Sequence, residues 1–309
     1  GDAHHYFPEA LYRNGEEAHY PENKLHEGTA YSQDLFLEDT MRYLEEKKDK
    51  PFFLHLSLQI PHASLCAPED WKKKYRGKFE EKPTVQNHYR SEEEPRTTFA
   101  AMVSRMDHDI GLILEKLKTL GLDSNTLVIF ASDNGAMHEG GHDRFFFNSS
   151  GPLRGGKRDL YEGGIRVPFI AWWPGRIAPG TVTDHPAAFW DFSATACELA
   201  RTTMPGNTDG ISYLPTLLGR NDAQETHEYF YWEFHEQGGK RAVRFDNWKA
   251  VQTGMKKPPF DAIELYDLSN DLAEEHDIAA AHPDIVTRAE EIFAKARTTC
   301  DLEQFNFPL

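Results

Sequence analysis

The sequence predicts an α/β fold in which a mostly parallel sheet is sandwiched by helices, followed by a smaller C-terminal antiparallel α+β domain. Two apolar runs, PFFLHLSLQ at residues 51–59 and TLVIFAS at residues 126–132, are typical of buried strands. Each run follows a segment with apolar residues at helical spacing, which is the order found in α/β proteins. After residue 225 the apolar runs are short and alternating, as in antiparallel sheets. The predicted domains are therefore residues 1–224 and 225–309.

The remaining elements follow from periodicity and composition. Apolar spacing predicts helices over residues 32–47, 99–117, 189–200 and 282–297. Gly121 is suited to end the second of these helices, and Pro283 is suited to the first turn of the last. The run VPFIAWWP at residues 167–174 predicts another strand. Residues 71–96 are charged and have no apolar period, which predicts a long surface excursion.

The charge balance and the cysteines exclude several classes of protein. The chain has 34 Lys and Arg residues against 50 Asp and Glu residues, a formal charge of -16, which disfavours a nucleic-acid partner. No apolar run approaches the ~18 residues of a membrane-spanning helix. Cys66, Cys197 and Cys300 lie far apart without a CxxC pair, so neither a structural zinc site nor a disulfide framework is indicated.

The stretch SDNG places an acid and an amide directly after the second predicted strand. Ligands of open parallel sheets collect at the carboxyl ends of the strands, where Asp133 and Asn134 are predicted to lie. Carboxylate and amide oxygens are hard ligands suited to Ca²⁺ or Mg²⁺. The same tetrapeptide also fits a helix cap, or an Asx turn into Gly135.

A glycine-rich segment, GPLRGGKRDLYEGGIRVP, occupies residues 151–168. Its glycines permit close backbone approach, and Arg154, Lys157, Arg158 and Arg166 add positive charge to an acidic chain. This combination suits a tetrahedral oxyanion. A solvated basic loop fits the composition equally well.

A histidine in QIPHASL, His62, follows the first predicted strand and could donate a proton or hydrogen bond to a bound anion. Among 15 histidines a loop histidine can also be incidental. The functional interpretation is favoured because SDNG, the glycine-rich segment and QIPHASL are all predicted to reach one edge of the sheet.

The order IPHASL, TLVIFASDNG and GPLRGGKRDLYEGGIRVPFIAWWPG resembles the type I sulfatases of the alkaline-phosphatase-like superfamily, and DAHHYFPEALYRNG and ELYDLSND extend the resemblance over almost the whole chain. The resemblance implies that Asp133 and Asn134 ligate Ca²⁺ and that His62 and Lys157 are catalytic residues that contact the sulfate. It also leads us to expect His138 and Arg154 among the substrate-binding residues.

Sulfatases use a formylglycine nucleophile made from a C/S-x-P-S-R motif, which this sequence does not contain. Cys66 stands in CAPED, which departs from the motif after the proline, so we interpret it as an ordinary loop cysteine. We therefore expect Gly1 to open an N-terminally incomplete sulfatase that lacks its formylglycine and the other calcium ligands and is inactive alone. The family resemblance favours a periplasmic or secreted location.

The leading hypothesis is calcium-assisted hydrolysis of a sulfate ester, of a sulfated sugar or an aryl sulfate. The alternatives are a non-catalytic module that binds sulfated glycans and a phosphoryl-transfer hydrolase of the same superfamily. Incomplete parallel sheets expose strand edges, so self-association through these edges is also expected.

Overall fold

The structure is a computed structural model that describes residues 4–24, 26–206 and 208–308, so Gly1 lies outside the described residues. It contains two compact units, one formed by residues 1–126 and 137–147 and the other by residues 127–136 and 148–309. The predicted boundary between residues 224 and 225 does not separate these units. The C-terminal residues belong to the same unit as the glycine-rich segment, for reasons given below.

Within the described residues, the first unit contains a hairpin and three α-helices. The hairpin pairs two antiparallel strands, and two of the helices match the predicted helices closely, with Gly121 beyond the end of the longest at φ +69°. The elements are β1 (Ala10–Arg13), β2 (Glu16–His19), α1 (Ser32–Lys47), α2 (Glu69–Lys72) and α3 (Pro95–Thr119). An ion pair of 2.6 Å from Lys116 Nζ to Glu45 Oε2 joins α3 to α1. Apart from the short α2, residues 71–94 are helix-free, which confirms the predicted excursion.

The core of the first unit surrounds the loop that carries His62. Tyr6, Tyr31 and Met102 are almost fully buried there together with Ile60. The Tyr6 hydroxyl donates a 2.9 Å hydrogen bond to the backbone oxygen of His62. Aromatic and aliphatic packing on both sides therefore fixes the backbone at this histidine.

Residues 51–59 do not form a β-strand with any described residue, so the strand predicted there is wrong. The segment alternates between exposed and half-buried residues, with Phe53 68% exposed, but it forms no β-ladder with any described residue. Period-two alternation specifies an extended backbone with two faces, whereas a strand also needs a hydrogen-bonded neighbour. The sequence pattern predicted the alternation and could not supply the partner.

The second unit begins with two strands that correct the predicted sheet. β3 (Val128–Ala131) pairs with β4 (Phe169–Trp172), and the pairing is antiparallel, with Val128 opposite Trp172. Every strand pair among the described residues is antiparallel, so the predicted mostly parallel sheet is not observed there. An apolar run indicates burial on both faces but carries no information on strand direction. Phe169 and Ile170 are 47% and 60% exposed, and self-association through this sheet remains a prediction.

The C-terminal antiparallel sheet and its helix are confirmed. Four strands follow in sequential order, and the helix begins at Pro283 as predicted. The further elements of this unit are α4 (Glu162–Ile165), α5 (Asp191–Ala200), α6 (Leu214–Leu217), β5 (Phe230–Phe234), β6 (Lys240–Phe245), β7 (Trp248–Thr253), β8 (Glu264–Asp267) and α7 (Pro283–Lys295). One face of the sheet packs on α7 through Val243, Ala250 and Phe293. No helix of the described residues has the length and apolarity needed to span a membrane.

The opposite face of this sheet packs against the glycine-rich segment. Ala242 of β6 and Val251 of β7 form a buried cluster with Leu160. Lys240 Nζ donates 2.9 Å hydrogen bonds to the backbone oxygen of Arg158 and to a carboxylate oxygen of Asp159. The glycine-rich segment is therefore anchored on the C-terminal sheet, which explains why both belong to one compact unit.

A buried ion cluster lies at the centre of this contact. Lys249 is fully buried in β7, and its Nζ lies 2.9 Å from Glu162 Oε1 and 3.4 Å from Glu274 Oε1. The other oxygen of Glu274 accepts a 2.6 Å hydrogen bond from the backbone N–H of Glu162. Burial raises the pKa of Glu274. Burial also opposes ionisation of Glu162, but Lys249 and Arg244 overcome it and lower the pKa of that carboxyl.

Replacing Lys249 with Met should strongly destabilise the second unit. The substitution removes the buried cation that Glu162 and Glu274 share, and breaking a buried ion pair typically costs about 3–5 kcal/mol. The free energy of unfolding from urea titration measures the effect. The double variant Lys249→Met/Glu162→Gln should recover part of the loss.

A matched control is Lys295→Met, which removes an exposed ion pair with Glu228. Exposed pairs contribute about 0–1 kcal/mol, so this variant should unfold almost like the parent protein. Equal unfolding free energies for Lys249→Met and Lys295→Met would contradict the structural role of the buried cluster.

Candidate functional site

Three glycines bring the end of β3 into backbone contact with the glycine-rich segment. The N–H of Gly135 donates a 2.9 Å hydrogen bond to the backbone oxygen of Gly164. A Cβ atom on Gly135 would lie 1.8 Å from the backbone oxygen of Gly163, and one on Gly164 would lie 2.1 Å from that of Asp159. Side chains at these positions are sterically excluded, because real Cβ atoms do not approach backbone oxygens so closely.

The same contact positions Lys157. Its backbone N–H donates a 2.9 Å hydrogen bond to the oxygen of Ala136, three residues after Asp133. The turn that contains Lys157 is closed by Gly156, whose N–H donates a 3.1 Å hydrogen bond to the Asp159 carboxylate. The predicted sulfate-binding lysine and the predicted metal ligands therefore lie on hydrogen-bonded segments of one compact unit.

Asp133 and Asn134 present two side-chain oxygens at the end of β3. Asp133 is exposed, and its carboxylate makes no hydrogen bond or ion pair with the part of the chain described. Asn134 Nδ2 donates to the backbone oxygen of Gly135 at 3.1 Å, and its Oδ1 accepts no hydrogen bond from those same residues. Ser132 Oγ donates to the backbone oxygen of Asn134 at 2.8 Å and closes the turn. A helix cap at Asp133 is wrong, since no helix begins between residues 132 and 161.

These two oxygens fit a hard cation chemically but do not complete its shell. Calcium usually takes about 6–8 oxygen ligands, and Asp133 with Asn134 offers two. Across residues 4–24, 26–206 and 208–308, no group of three or more His, Cys, Asp or Glu side chains is arranged to hold a metal ion. Further ligands would have to come from water, substrate or residues outside this set.

Arg154 has a structural role in the second unit. Its Nη1 donates to the Tyr266 hydroxyl at 2.7 Å and to the backbone oxygen of Glu274 at 2.9 Å. The guanidinium also lies 3.8 Å from the centre of the Tyr161 ring. These contacts tie the glycine-rich segment to the C-terminal sheet, and the predicted contact of Arg154 with substrate remains a prediction.

The sequence SGPLR, beginning at Ser150, has Ser, Pro and Arg at the positions of the formylglycine motif and departs from it at Leu153. The Ser150 hydroxyl donates a 3.0 Å hydrogen bond to the backbone oxygen of Gly155. The hydroxyl thus closes the loop that precedes Lys157, and this contact gives Ser150 a structural role.

His62 lies in the first unit, half-buried beside an acid that the sequence analysis missed. Its Nδ1 lies 2.5 Å from the backbone oxygen of Ala63, so this nitrogen carries the proton, and its Nε2 lies 3.8 Å from Glu139 Oε2. Glu139 follows SDNGA by only two residues in MHEGG, and this proximity in sequence could have indicated it. His62 and Lys157 belong to different compact units, so their common crevice remains a prediction.

His138 and Cys66 complete the set of predicted residues. His138 is exposed in the first unit, with its ring centre 5.7 Å from that of Phe145. Cys66 is buried, receives a contact from Arg90 Nη1 at 3.5 Å, and has a thiol pKa raised by that burial. A protonated, buried thiol is a poor nucleophile, which agrees with the interpretation of Cys66 as an ordinary loop cysteine.

A family model described as "Sulfatase" matches residues 1–203 of this chain, about two thirds of its length. This chain belongs to the sulfatase family. A second model, "N-sulphoglucosamine sulphohydrolase, C-terminal", matches residues 155–297, which include the glycine-rich segment and the C-terminal sheet.

The relatives of this sulfatase chain include proteins named as sugar sulfatases. N-acetylgalactosamine-6-sulfatase of Rattus norvegicus is 33% identical over 203 residues, covering 63% of this chain and 34% of the relative. N-acetylgalactosamine-6-O-sulfatase of Bacteroides thetaiotaomicron is 27% identical and covers 86% of this chain and 51% of the relative. The crystal structure of Ps i-CgsB in complex with k-i-k-neocarrahexaose has a TM-score of 0.72 and 26% identity, covering 91% of this chain and 57% of the other. The chain spans about a third to a half of the two curated relatives.

These neighbours agree with the mixed α/β content and the C-terminal antiparallel sheet, and the chain has a partial sulfatase fold. The predicted family is confirmed. Neither the parallel sheet nor the roles of the individual site residues is tested by these similarities.

Replacing Gly135 with Ala should disrupt the candidate site, because the new Cβ would overlap the backbone oxygen of Gly163. We expect a loss of about 2–4 kcal/mol in the free energy of unfolding, the range for a strained or overpacked site. Gly111→Ala on the exposed side of α3 is the matched control, since a Cβ there meets no atom within 4 Å. The control should be neutral or more stable by up to about 1 kcal/mol. Equal stability of both variants would show that the three-glycine contact does not form.

Proposed function

We propose that this chain is part of a sulfatase that hydrolyses sulfate esters of sugars, with Asp133, Asn134 and Lys157 at the sulfate-binding site. The proposal rests on one observation above all. The segment that carries Asp133 and Asn134 is hydrogen-bonded, through the backbone oxygen of Ala136, to the backbone N–H of Lys157. A sulfate bound there would contact Lys157, and its metal counter-ion would bind the side-chain oxygens of Asp133 and Asn134.

The residues present fit a calcium ion, for which Asp133 and Asn134 would be two of the ligands. When bound, the cation would supply Lewis-acid polarisation of the sulfate and neutralise part of its charge. Asp133 is suited to this role because its carboxylate is exposed and makes no ion pair with the described residues. Ser132 Oγ and Asn134 Nδ2 both donate to backbone oxygens of this turn, so the backbone that carries the two side chains would not have to reorganise on binding.

Lys157 is proposed to bind the sulfate oxygens and to stabilise the negative charge that develops as the ester bond breaks. A cation fixed by its backbone acts most strongly in the transition state. His62 is proposed to hydrogen-bond the same sulfate. With its Nδ1–H donated to the oxygen of Ala63, His62 would act through Nε2, which lies 3.8 Å from Glu139 Oε2 and would have to carry a second proton to donate it to the leaving oxygen. Neither residue is proposed to attack sulfur, and the proposed nucleophile is a formylglycine elsewhere in the polypeptide.

Sulfated hexoses are the proposed substrate class. Relatives from Rattus norvegicus and Bacteroides thetaiotaomicron bear the names of N-acetylgalactosamine 6-sulfatases, and a related structure holds a neocarrahexaose. These names support a sulfated sugar as the natural ester, and relatives named arylsulfatase A and steryl-sulfatase make an aryl or steryl sulfate the second candidate.

Replacing Lys157 with Ala should lower kcat/KM for sulfate release by about 100-fold or more, as expected for removal of a group that stabilises transition-state charge. The assay uses the whole protein with formylglycine installed, on p-nitrophenyl sulfate and on N-acetylgalactosamine 6-sulfate. Lys257→Ala is the matched control, since Lys257 is an exposed lysine of the same unit. Lys157→Arg should recover only part of the activity, because guanidinium and ammonium differ in shape.

Full activity of the Lys157→Ala enzyme on both substrates would contradict the role assigned to Lys157. Robust turnover by the 309-residue chain alone would instead remove the proposal that the nucleophile lies elsewhere. The two results are separable, since one concerns the glycine-rich segment and the other the origin of the nucleophile.

A further inference from the structure

The dipeptide Asn-Gly occurs twice in the chain, once in each compact unit. The first pair is Asn14 with Gly15, and the second is Asn134 with Gly135. An asparagine before a glycine can lose its side-chain amide spontaneously, because no Cβ atom shields the glycine nitrogen from the neighbouring side chain. The two pairs share the same reacting atoms, so a large difference in their rates would come from the fold.

This reaction, deamidation, needs only the two residues and water. The backbone nitrogen of the glycine attacks the side-chain Cγ of the asparagine and forms a new C–N bond. The bond from Cγ to Nδ2 breaks, and the proton of the glycine N–H leaves with that nitrogen as ammonia. Water then opens the resulting succinimide ring at one of its two carbonyl carbons. The product is aspartate, or isoaspartate with one additional methylene in the backbone.

Asn14 and Gly15 form the tip of the hairpin between β1 and β2. Their φ angles of +54° and +85° are those of the two-residue type I′ turn that Asn-Gly favours. Both residues are exposed, and a Cβ on Gly15 would meet no atom within 4 Å. The N–H of Gly15 donates no backbone hydrogen bond within the described part of the chain. Because a two-stranded hairpin is only marginally stable by itself, opening of its tip requires little free energy.

Asn134 and Gly135 lie in an enclosed position at the end of β3. The N–H of Gly135 donates a 2.9 Å hydrogen bond to the backbone oxygen of Gly164, and the space beside its Cα is filled by the backbone oxygen of Gly163. Attack on Cγ requires the glycine N–H to give up its proton. A hydrogen-bonded N–H must first be released from its acceptor, as it must in hydrogen exchange. Release at Gly135 therefore requires two closely packed backbones to separate.

We propose that Asn14 is a site of spontaneous deamidation in the folded protein, and that the hydrogen bond from Gly135 to Gly164 suppresses the same reaction at Asn134. The contrast between an exposed hairpin tip and an enclosed strand end carries this inference. It does not depend on sulfate hydrolysis, because it concerns only the two asparagines and the backbone around them.

Deamidation would have different consequences at the two positions. Isoaspartate at position 14 would lengthen the turn between Arg13 and Glu16, which lie opposite each other in the hairpin, and would add a negative charge at an exposed site. The same change at Asn134 would displace the backbone that carries Asp133. The contact around Gly135 thus excludes side chains and also preserves the amide of Asn134.

Peptide mapping of the folded 309-residue chain after incubation at neutral pH measures both rates in one sample. Tandem mass spectrometry detects the mass increase that follows when NH₂ is replaced by OH and locates it in the sequence. Asn14 should react at least about tenfold faster than Asn134, because one hydrogen bond shifts an equilibrium by roughly twofold to tenfold and the glycine packing adds to this. In urea that unfolds the chain the two rates should become similar, since the fold no longer distinguishes the two pairs.

Gly164→Ala tests the protecting contact without changing either Asn-Gly pair. A Cβ there would lie 2.1 Å from the backbone oxygen of Asp159, so the hydrogen-bond acceptor of Gly135 must shift. Asn134 should then react about tenfold faster, the factor expected for loss of a hydrogen bond, and Asn14 in the other unit should keep its rate. Gly111→Ala is the matched control and should leave both rates unchanged, because a Cβ at that position meets no atom within 4 Å.

Equal rates at Asn14 and Asn134 in the folded chain would overturn the inference. A difference between the two rates that persists in urea would also overturn it, because the fold would then not be its cause. An Asn14 that reacts in urea but not in the folded chain would contradict its assignment as a deamidation site. An Asn134 rate that does not respond to Gly164→Ala would contradict the protecting role of the hydrogen bond.

Discussion

The buried ammonium of Lys249 is the interaction on which the second unit depends. It balances Glu162 at 2.9 Å and Glu274 at 3.4 Å where α4 meets the C-terminal sheet. Glu162 begins the helix that contains Gly163 and Gly164, and those glycines receive the end of β3. The buried charges therefore hold the glycine-rich segment in place, and that segment holds Lys157 beside the turn that contains Asp133. In this way the C-terminal sheet helps to position the residues of the proposed site.

Helices were the most predictable part of the fold. Apolar spacing predicted α1 and α7 almost to the residue, because a helix forms its hydrogen bonds within its own segment. Strand pairing was less predictable. The direction of β3 and the missing ladder at residues 51–59 depend on neighbours that a local pattern does not specify. The alternating runs after residue 225 were easier, since short connections favour antiparallel neighbours.

In the candidate site, too, features of a short motif were predictable, whereas contacts between residues distant in sequence were not. SDNG predicted two ligand oxygens and a tight turn, and the structure adds why Gly135 admits no side chain. The composition of the glycine-rich segment predicted that Arg154 binds an anion. Its partners Tyr266 and Glu274 lie more than 100 residues away in sequence and give it a structural role. Glu139 was missed because its contact with His62 joins two residues that lie far apart in sequence, which a local pattern does not specify.

The central claim is that Asp133, Asn134 and Lys157 together hold a metal ion and a sulfate. Anomalous diffraction from crystals of the whole protein grown with calcium and sulfate tests it most directly. The account predicts a calcium ion within about 2.3–2.6 Å of side-chain oxygens of Asp133 and Asn134. It also predicts a sulfate oxygen within about 2.7–3.2 Å of Lys157 Nζ. Calcium and sulfate bound elsewhere, with Asp133 and Lys157 contacting only solvent, would contradict it.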